Sequence, residues 1–250
     1  MLNTTSAHLP YSLTYPIAYN IVKSIIVAID GTSSTGKSSI AKLLAQKIDY
    51  TYIDTGAMYR AVTLLALQNN VFHSDGSIDE PLLQELLKKA RIVFCNNSET
   101  GHSDMYLNGE NVEKQIRTME VSSHVSPVAA ISWVRDELVA QQRAMGKNGG
   151  IVMDGRDIGT VVFPEAEMKV FMTASPEIRA QRRFKELQEK GIPATYEEIL
   201  QNVRERDYLD SHRAVSPLKQ AHDAYLLDNS DMTFEQEMDI LIKIFNEKVS

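Results

Sequence analysis

Eight residues constrain this chain more than any others. Gly31-Thr32-Ser33-Ser34-Thr35-Gly36-Lys37-Ser38 spells the pattern G-x-x-x-x-G-K-[ST]. At average glycine usage, about 7%, such an octet arises by chance in on the order of one chain per hundred of this length. Its flanks narrow the reading further. The apolar run Ile25–Ile29 and Asp30 enter the loop, and the stretch Ser38–Ile48, with Ile40, Leu43, Leu44 and Ile48 at helical spacing, leaves it. Strand, loop and helix in that order is the context the pattern demands. Glycines let the backbone curl so that successive N–H groups face an anion, and the helix start adds a favourable dipole. Lys37 supplies a point charge for the β and γ phosphates of a nucleoside triphosphate, with ATP the expected one, and the Ser38 hydroxyl suits Mg²⁺.

A loop of this kind needs a parallel sheet behind it, and the remaining apolar runs supply one. Ile151–Met153, Val170–Met172 and Tyr225–Leu227 recur as short runs without alternation, with Tyr50–Ile53 a weaker fifth. Such runs read as strands buried on both faces. Between them lie helical periods at Leu82, Leu83, Leu86 and Leu87, at Ala180, Phe184 and Leu187, and at Tyr196, Ile199, Leu200 and Val203. Strands alternating with helices predict an α/β fold with crossover connections. Residues 91–112 break the alternation. They read as strand, polar turn, strand, the Asn108-Gly109 turn and strand, a small antiparallel insert. Residues 1–23 carry two prolines and three tyrosines without a helical period. They lack the basic start and apolar stretch of a signal peptide, so they read as a flexible leader before a single domain, 24–250. The one cysteine, Cys95, excludes an internal disulfide framework and fits a reducing compartment. No apolar run approaches the roughly 18 residues of a membrane span.

Charge then becomes informative. Lys plus Arg is 26 against 33 Asp plus Glu, a net −7, which is not the footprint of a nucleic-acid polymer binder or a polybasic membrane anchor. Yet all twelve arginines lie between Arg60 and Arg213. Arg60 falls near a helix start in Asp54–Arg60. Arg156 and Asp157 follow the strand Ile151–Met153, on the sheet edge where α/β proteins place their sites. Arg179, Arg182 and Arg183 share one helical face, as do Arg206, Asp210 and Arg213. Guanidinium forks from several elements suit a reaction that gathers many phosphate oxygens in one place. They favour phosphoryl transfer to a phosphorylated acceptor over hydrolysis. Another small acceptor, or a nucleotide-binding module without transferase activity, stays open on these residues alone.

The segments IDGTSSTGKSS, DTGAMYR, QIRT, DGRDIGTVVFP, RAQRRFKELQEKG and RERDYLDSHRA together resemble the bacterial cytidylate kinases, P-loop nucleoside monophosphate kinases. The resemblance runs from Ile25 into the C-terminal helical stretch. It implies a parallel five-stranded sheet with helices on both faces, the insert near 91–112 as part of the monophosphate-binding region, and a helical lid near 176–192. It implies transfer of the γ-phosphate of ATP to CMP or dCMP with Mg²⁺, in a cytoplasmic monomer of pyrimidine nucleotide metabolism. Carried over position by position, Gly31, Thr32, Ser33, Ser34, Thr35, Gly36, Lys37, Ser38 and Ser39 would wrap the ATP phosphates, with Ser38 on the metal. Thr55, Tyr59 and Arg60 would line the acceptor site, with Arg60 on the CMP phosphate. Ser126, Arg135 and Asp157 would read the cytosine edge. Arg156 and Arg213 would hold the acceptor phosphate, and Arg206 and Asp210 would lie by the sugar. Lys37, Arg156, Asp157, Arg179 and Arg183 are the residues expected to carry the transfer, the last two with Arg182 as lid arginines. Uracil would set an acceptor where cytosine has a donor, a mismatch that is costly in a buried site. Departures are Thr55 in place of a common Ser, Gln115 in place of a frequent Glu, and Tyr208, Leu209, Ser211 and His212 in a stretch that is often more charged.

Overall fold

Along the first strand, β1 (Ile26–Gly31), successive side chains serve two opposite faces, and both faces are covered. Val27 and Ile29 belong to one apolar cluster and Ala28 to another. That explains why the run has no polar alternation. The computed structural model of the chain describes residues 24–97, 102–189 and 191–250. The expectation for the leader lies outside these residues, as do the tip of the insert at 98–101 and residue 190 of the lid stretch.

After β1 come α1 (Lys37–Lys47), β2 (Thr51–Asp54), α2 (Thr55–Gln68) and α3 (Glu80–Lys89). The insert follows as β3 (Ile92–Asn97), β4 (His102–Leu107) and β5 (Glu110–Asn111), antiparallel, turning at Asn108-Gly109 with both residues at positive φ. A 3₁₀ turn, Gln115–Arg117, leads to α4 (Met119–Ala130) and α5 (Ser132–Met145). Then come β6 (Ile151–Gly155), a π-helical turn Ile158–Val162, β7 (Met168–Thr173), α6 (Pro176–Glu189), α7 (Tyr196–His212), β8 (Tyr225–Asp228) and α8 (Phe234–Val249).

The main sheet has the order β2-β6-β1-β7-β8 with every pairing parallel. Each of the five expected strands is present. Helices α1 and α8 cover one face through Ile40, Leu44, Leu241 and Phe245. On the other face Val139 of α5 and Ile158 and Val162 of the π turn pack on Ala28, Ile53 and Met153. A separate apolar cluster joins α2, α4 and α5 to the insert, and a small one, with Ala180, Leu187, Ile199 and Val203, zips α6 to α7. Each fully buried aliphatic side chain contributes roughly 1.5–3 kcal/mol.

Helix starts explain where the sheet's upper edge places its polar groups. The Asp54 side chain caps α2 by accepting from the Ala57 N–H at 3.0 Å. Thr195 with Glu198 and Thr233 with Gln236 form capping boxes on α7 and α8. Gly36 starts α1 at φ +90°. Gly31 has φ +146°, and a Cβ there would lie 1.9 Å from the carbonyl oxygen of Met172. No other residue fits that turn. Among the described residues no helix is long and apolar enough to cross a membrane.

Candidate active site

The carboxyl ends of β1, β2 and β6 open into a cleft of about 1200 Å³. At one end the loop 31–38 curls over the start of α1. Ser34 is left-handed at φ +59°, and with Gly36 it gives the backbone the reversals that point amides at an anion. Lys37 is buried. Its ammonium donates to the Thr32 carbonyl and, at 3.2 Å, to the Thr35 hydroxyl. Burial, followed by the charge of Arg156, pushes Lys37 down to about 7. The hydroxyl of Ser33 is buried and has no partner among the described residues.

Beside Lys37 stands a pair of carboxylates from neighbouring strand ends, for Asp54 of β2 is the register partner of Asp154 of β6. Asp154 accepts from the Ser38 hydroxyl at 2.9 Å and the Tyr52 hydroxyl at 2.8 Å. Burial and the proximity of Asp54 raise it to about 6. Burial raises Asp54 too, but Arg117, 2.8 Å away, outweighs it and holds that carboxyl below its ordinary range. Ser38 and Asp154 thus offer hard oxygen donors side by side, the donor set that suits Mg²⁺. Among the described residues no group of three or more His, Cys, Asp or Glu side chains could hold a metal. Mg²⁺ needs no such cage, because it keeps waters and takes substrate phosphates as ligands.

The other end of the cleft is made of side chains from several elements. Arg135 of α5 is buried; it donates to the Ala129 carbonyl at 3.0 Å and to Asp157, and its guanidinium lies 5.4 Å from the Tyr59 ring centroid. Arg213, at the end of α7, donates to the Ser216 carbonyl at 2.7 Å, and its Nη2 lies 3.9 Å from Asp157. Asp210 accepts from Arg156 and from Ser126, each at 2.9 Å. Arg206 reaches the Ser122 hydroxyl at 3.5 Å, and Arg60 donates to the Ile116 carbonyl at 3.2 Å. The Nε atoms of Arg135 and Arg206 and Nη2 of Arg213 are buried without a hydrogen-bond partner among the described residues.

Electrostatics single out that ligand's charge. Burial, then Arg156, pushes Arg206 down to about 10. Burial and Arg206 push Arg60 well below its ordinary value, and burial with Arg135 lowers Arg213. Burial drives Asp210 upward, yet Arg156 and Arg206 overcome it and keep the carboxyl low. Cations that depress one another mark a field its own carboxylates do not cancel. An anion entering the cleft would relieve it.

Of the expected site residues, Ser33 through Ser39, Thr55, Tyr59, Arg60, Ser126, Arg135, Arg156, Asp157, Arg183, Arg206, Asp210 and Arg213 line this one cleft. Gly31, Thr32, Arg179 and Arg182 do not. Gly31 sets the turn, Thr32 offers its carbonyl to Lys37, and Arg179 is buried behind the loop. Sequence reasoning assigned no role to Asp154, Asp54 or Asp207, and noted Arg117 only as part of the QIRT segment. For Asp154 a signal existed: an Asp closes the run Ile151–Met153 just as Asp30 closes β1. Asp30 itself serves the scaffold. Its carboxylate accepts from the N–H groups of Ile158 and Gly159 at 2.7 Å each and so fixes the turn after Asp157, and burial raises it to about 7.

The chain matches the family model described as Cytidylate kinase over residues 27–247. It is 58% identical over 228 residues to a protein named Cytidylate kinase from Bacteroides thetaiotaomicron, covering 91% of this chain and 99% of that relative. A protein of the same name from Flavobacterium johnsoniae is 57% identical with the same coverage. One from Porphyromonas gingivalis is 56% identical over 224 residues, covering 89% of this chain and 96% of the relative.

Proposed function

The chain belongs to the cytidylate kinase family, and from that premise we propose how its cleft transfers the γ-phosphate of ATP to CMP or dCMP, yielding ADP and CDP or dCDP. The observation that carries this reading is the joining of a phosphate loop to a field of mutually repelling buried guanidiniums in one cleft. The loop amides and Lys37 hold the β and γ phosphates of ATP. Ser38 and Asp154 are the residues that would hold Mg²⁺, which neutralises phosphate charge when bound. Arg60, Arg156 and Arg213 take the acceptor phosphate, and Arg206 and Asp210 lie by the sugar. Ser126, Arg135 and Asp157 meet the cytosine.

The transfer is direct. The bond from the γ phosphorus to its bridging oxygen breaks, and a bond from an acceptor phosphate oxygen to that phosphorus forms. The leaving electron pair stays on ADP. A phosphate monoester has a second pKa of about 6, so the attacking oxygen is already ionised near neutral pH and no general base is required. Asp157, committed to Arg135 and close to Arg213, accordingly acts by orientation. Charge neutralisation and positioning supply the rate. Arg183 lines the cleft from α6, which supports its reading as the lid arginine for the transferring group.

The test is ADP release from ATP with CMP, dCMP, UMP, AMP or GMP as acceptor. CMP and dCMP should stimulate release most. AMP used far better than CMP would refute the base-reading residues, and no stimulation by any acceptor would reduce the chain to a nucleotide-binding module.

A further inference from the structure

Arg179 is expected to close on phosphates as a lid arginine, yet the structure places it elsewhere. It is 2% exposed and lies outside the cleft. A guanidinium has five N–H donors, and the protein takes four of them. Nε donates to the Ala174 carbonyl at 2.9 Å. Nη1 donates to the Ser33 carbonyl at 3.1 Å and to Asp207 Oδ1 at 2.9 Å, and Nη2 donates to Asp207 Oδ2. One turn on, Arg182 reaches the Thr35 carbonyl at 3.4 Å, alongside the buried Asn229, whose Nδ2 donates to the same oxygen at 2.8 Å.

Two carbonyls of the phosphate loop are therefore held by α6. In a planar trans peptide the C=O of one residue and the N–H of the next point in opposite directions. Fixing the Ser33 and Thr35 carbonyls toward α6 turns the N–H groups of Ser34 and Gly36 the other way, and Ser34 and Gly36 line the cleft. Asp207, in turn, belongs to α7, the helix that carries Arg206 and Asp210 to the acceptor end. It grips Arg179 in a two-pronged ion pair, while its own side chain is a quarter exposed and lines no part of the cleft.

We propose that Arg179 and Asp207 are positioning residues: α7, through the Asp207–Arg179 pair, sets the Ser33 carbonyl and with it the anion-binding shape of the donor loop. This rests on the assignment of that loop to the donor nucleotide. If wild-type protein bound no MgADP, both the assignment and this inference would fall.

The test is a double-mutant cycle in the full chain with Asp207→Asn, Arg179→Lys and the pair, folding being checked by circular dichroism and thermal unfolding. Calorimetric Kd values are measured for MgADP and, separately, for CMP. Asp207→Asn should weaken MgADP about tenfold and leave CMP within twofold, although Asp207 sits on the acceptor helix. Arg179→Lys should do the same, and the double variant should lose no more than the worse single, since the two residues act as one. Loss confined to CMP, strictly additive MgADP losses, or a lowered melting temperature with unchanged MgADP affinity would each overturn the proposal. Arg183→Ala separates a brace from a clamp: it should lower kcat with little change in MgADP affinity, and an MgADP loss equal to that of Arg179→Lys would count against the distinction.

Discussion

The two ends of the cleft are built from different materials. At the donor end, in the proposed assignment, the phosphate-binding groups are backbone amides within eight consecutive residues, joined by the ammonium of Lys37. At the acceptor end they are guanidiniums from α2, α5, α7 and the turn after β6, most of them partnered by a buried carboxylate or a backbone carbonyl. A backbone site depends on curvature and tolerates changes in most side chains. A side-chain site depends on each fork and on what holds it. The two ends should therefore fail differently.

The largest effect belongs to Lys37, whose buried ammonium lies within the loop itself. Lys37→Met should lower kcat by about 10²–10³-fold, the usual cost of losing a donor aimed at developing charge. CMP affinity, read by calorimetry, should stay near wild type. A matching loss of CMP binding would mean that the two ends are not separable. Arg213→Ala is the mirror experiment. A charged hydrogen bond to phosphate contributes about 1.5–3 kcal/mol, so the KM for CMP should rise on the order of 10–100-fold while the KM for ATP moves little. Equal losses for both substrates would remove Arg213 from the acceptor phosphate.

Arg135→Ala tests selectivity within the acceptor end. Arg135 is buried against Asp157 and over Tyr59, so its loss leaves Asp157 with only the longer contact to Arg213 as well as a base edge unread. The ratio of kcat/KM for CMP over UMP should fall about tenfold, a shift in keeping with the loss of a buried polar pairing. An unchanged ratio would sink the cytosine-reading role.

How far each end could be read in the sequence follows from the same difference. The donor loop is contiguous, so its spelling, strand and helix sit in one window, and the five strands are legible as short apolar runs, although only the central β1, β6 and β7 are covered on both faces while Tyr225 and Leu226 of the edge strand β8 are exposed. At the acceptor end the residue types were visible, but their partners were not. Ser126 meets Asp210 across 84 residues, and Arg156 meets Asp210 across 54. The helical spacing of Arg179, Arg182 and Arg183 groups them on one helix, but periodicity does not say which neighbour each one meets. Arg179 is turned to Ser33, 146 positions away. Helices α4 and α5 lacked a clear period in part because Pro127 interrupts the first, and the π turn Ile158–Val162 has no spelling of its own. It depends on Asp30, at the end of a different strand.

The donor end should also carry the pH dependence of ATP capture. Burial and Asp54 raise Asp154 to about 6, so below that pH the free enzyme protonates the carboxylate placed for the metal. Burial and Arg156 lower Lys37 to about 7, so above that pH the free enzyme loses its ammonium. The kcat/KM for ATP should then be bell-shaped, with its top between about 6 and 7 and a fall of about tenfold per pH unit beyond either limb. Bound phosphates favour the charged lysine, so kcat at saturating nucleotide should hold to higher pH. Asp154→Asn should abolish the acid limb, and an acid limb that survives would assign it to another group.

The smallest effect is expected where the two ends meet, at Thr55. Its hydroxyl donates to the Asp154 carbonyl at 2.7 Å, and a Cβ at Gly155 would come within 2.7 Å of the Thr55 hydroxyl oxygen. The side chain is buried and its hydroxyl is committed to that hydrogen bond. Serine keeps the hydroxyl and loses only the methyl. Thr55→Ser should therefore change the preference between CMP and dCMP by less than about threefold, well under 1 kcal/mol. Thr55→Ala removes the bond and leaves the carbonyl short of a partner, a cost of about 1 kcal/mol in stability read by urea unfolding. A tenfold swing in sugar preference with Thr55→Ser would show that the methyl reaches the ribose. The junction between donor and acceptor ends would then be a specificity element, and the separation of the two ends would fail there.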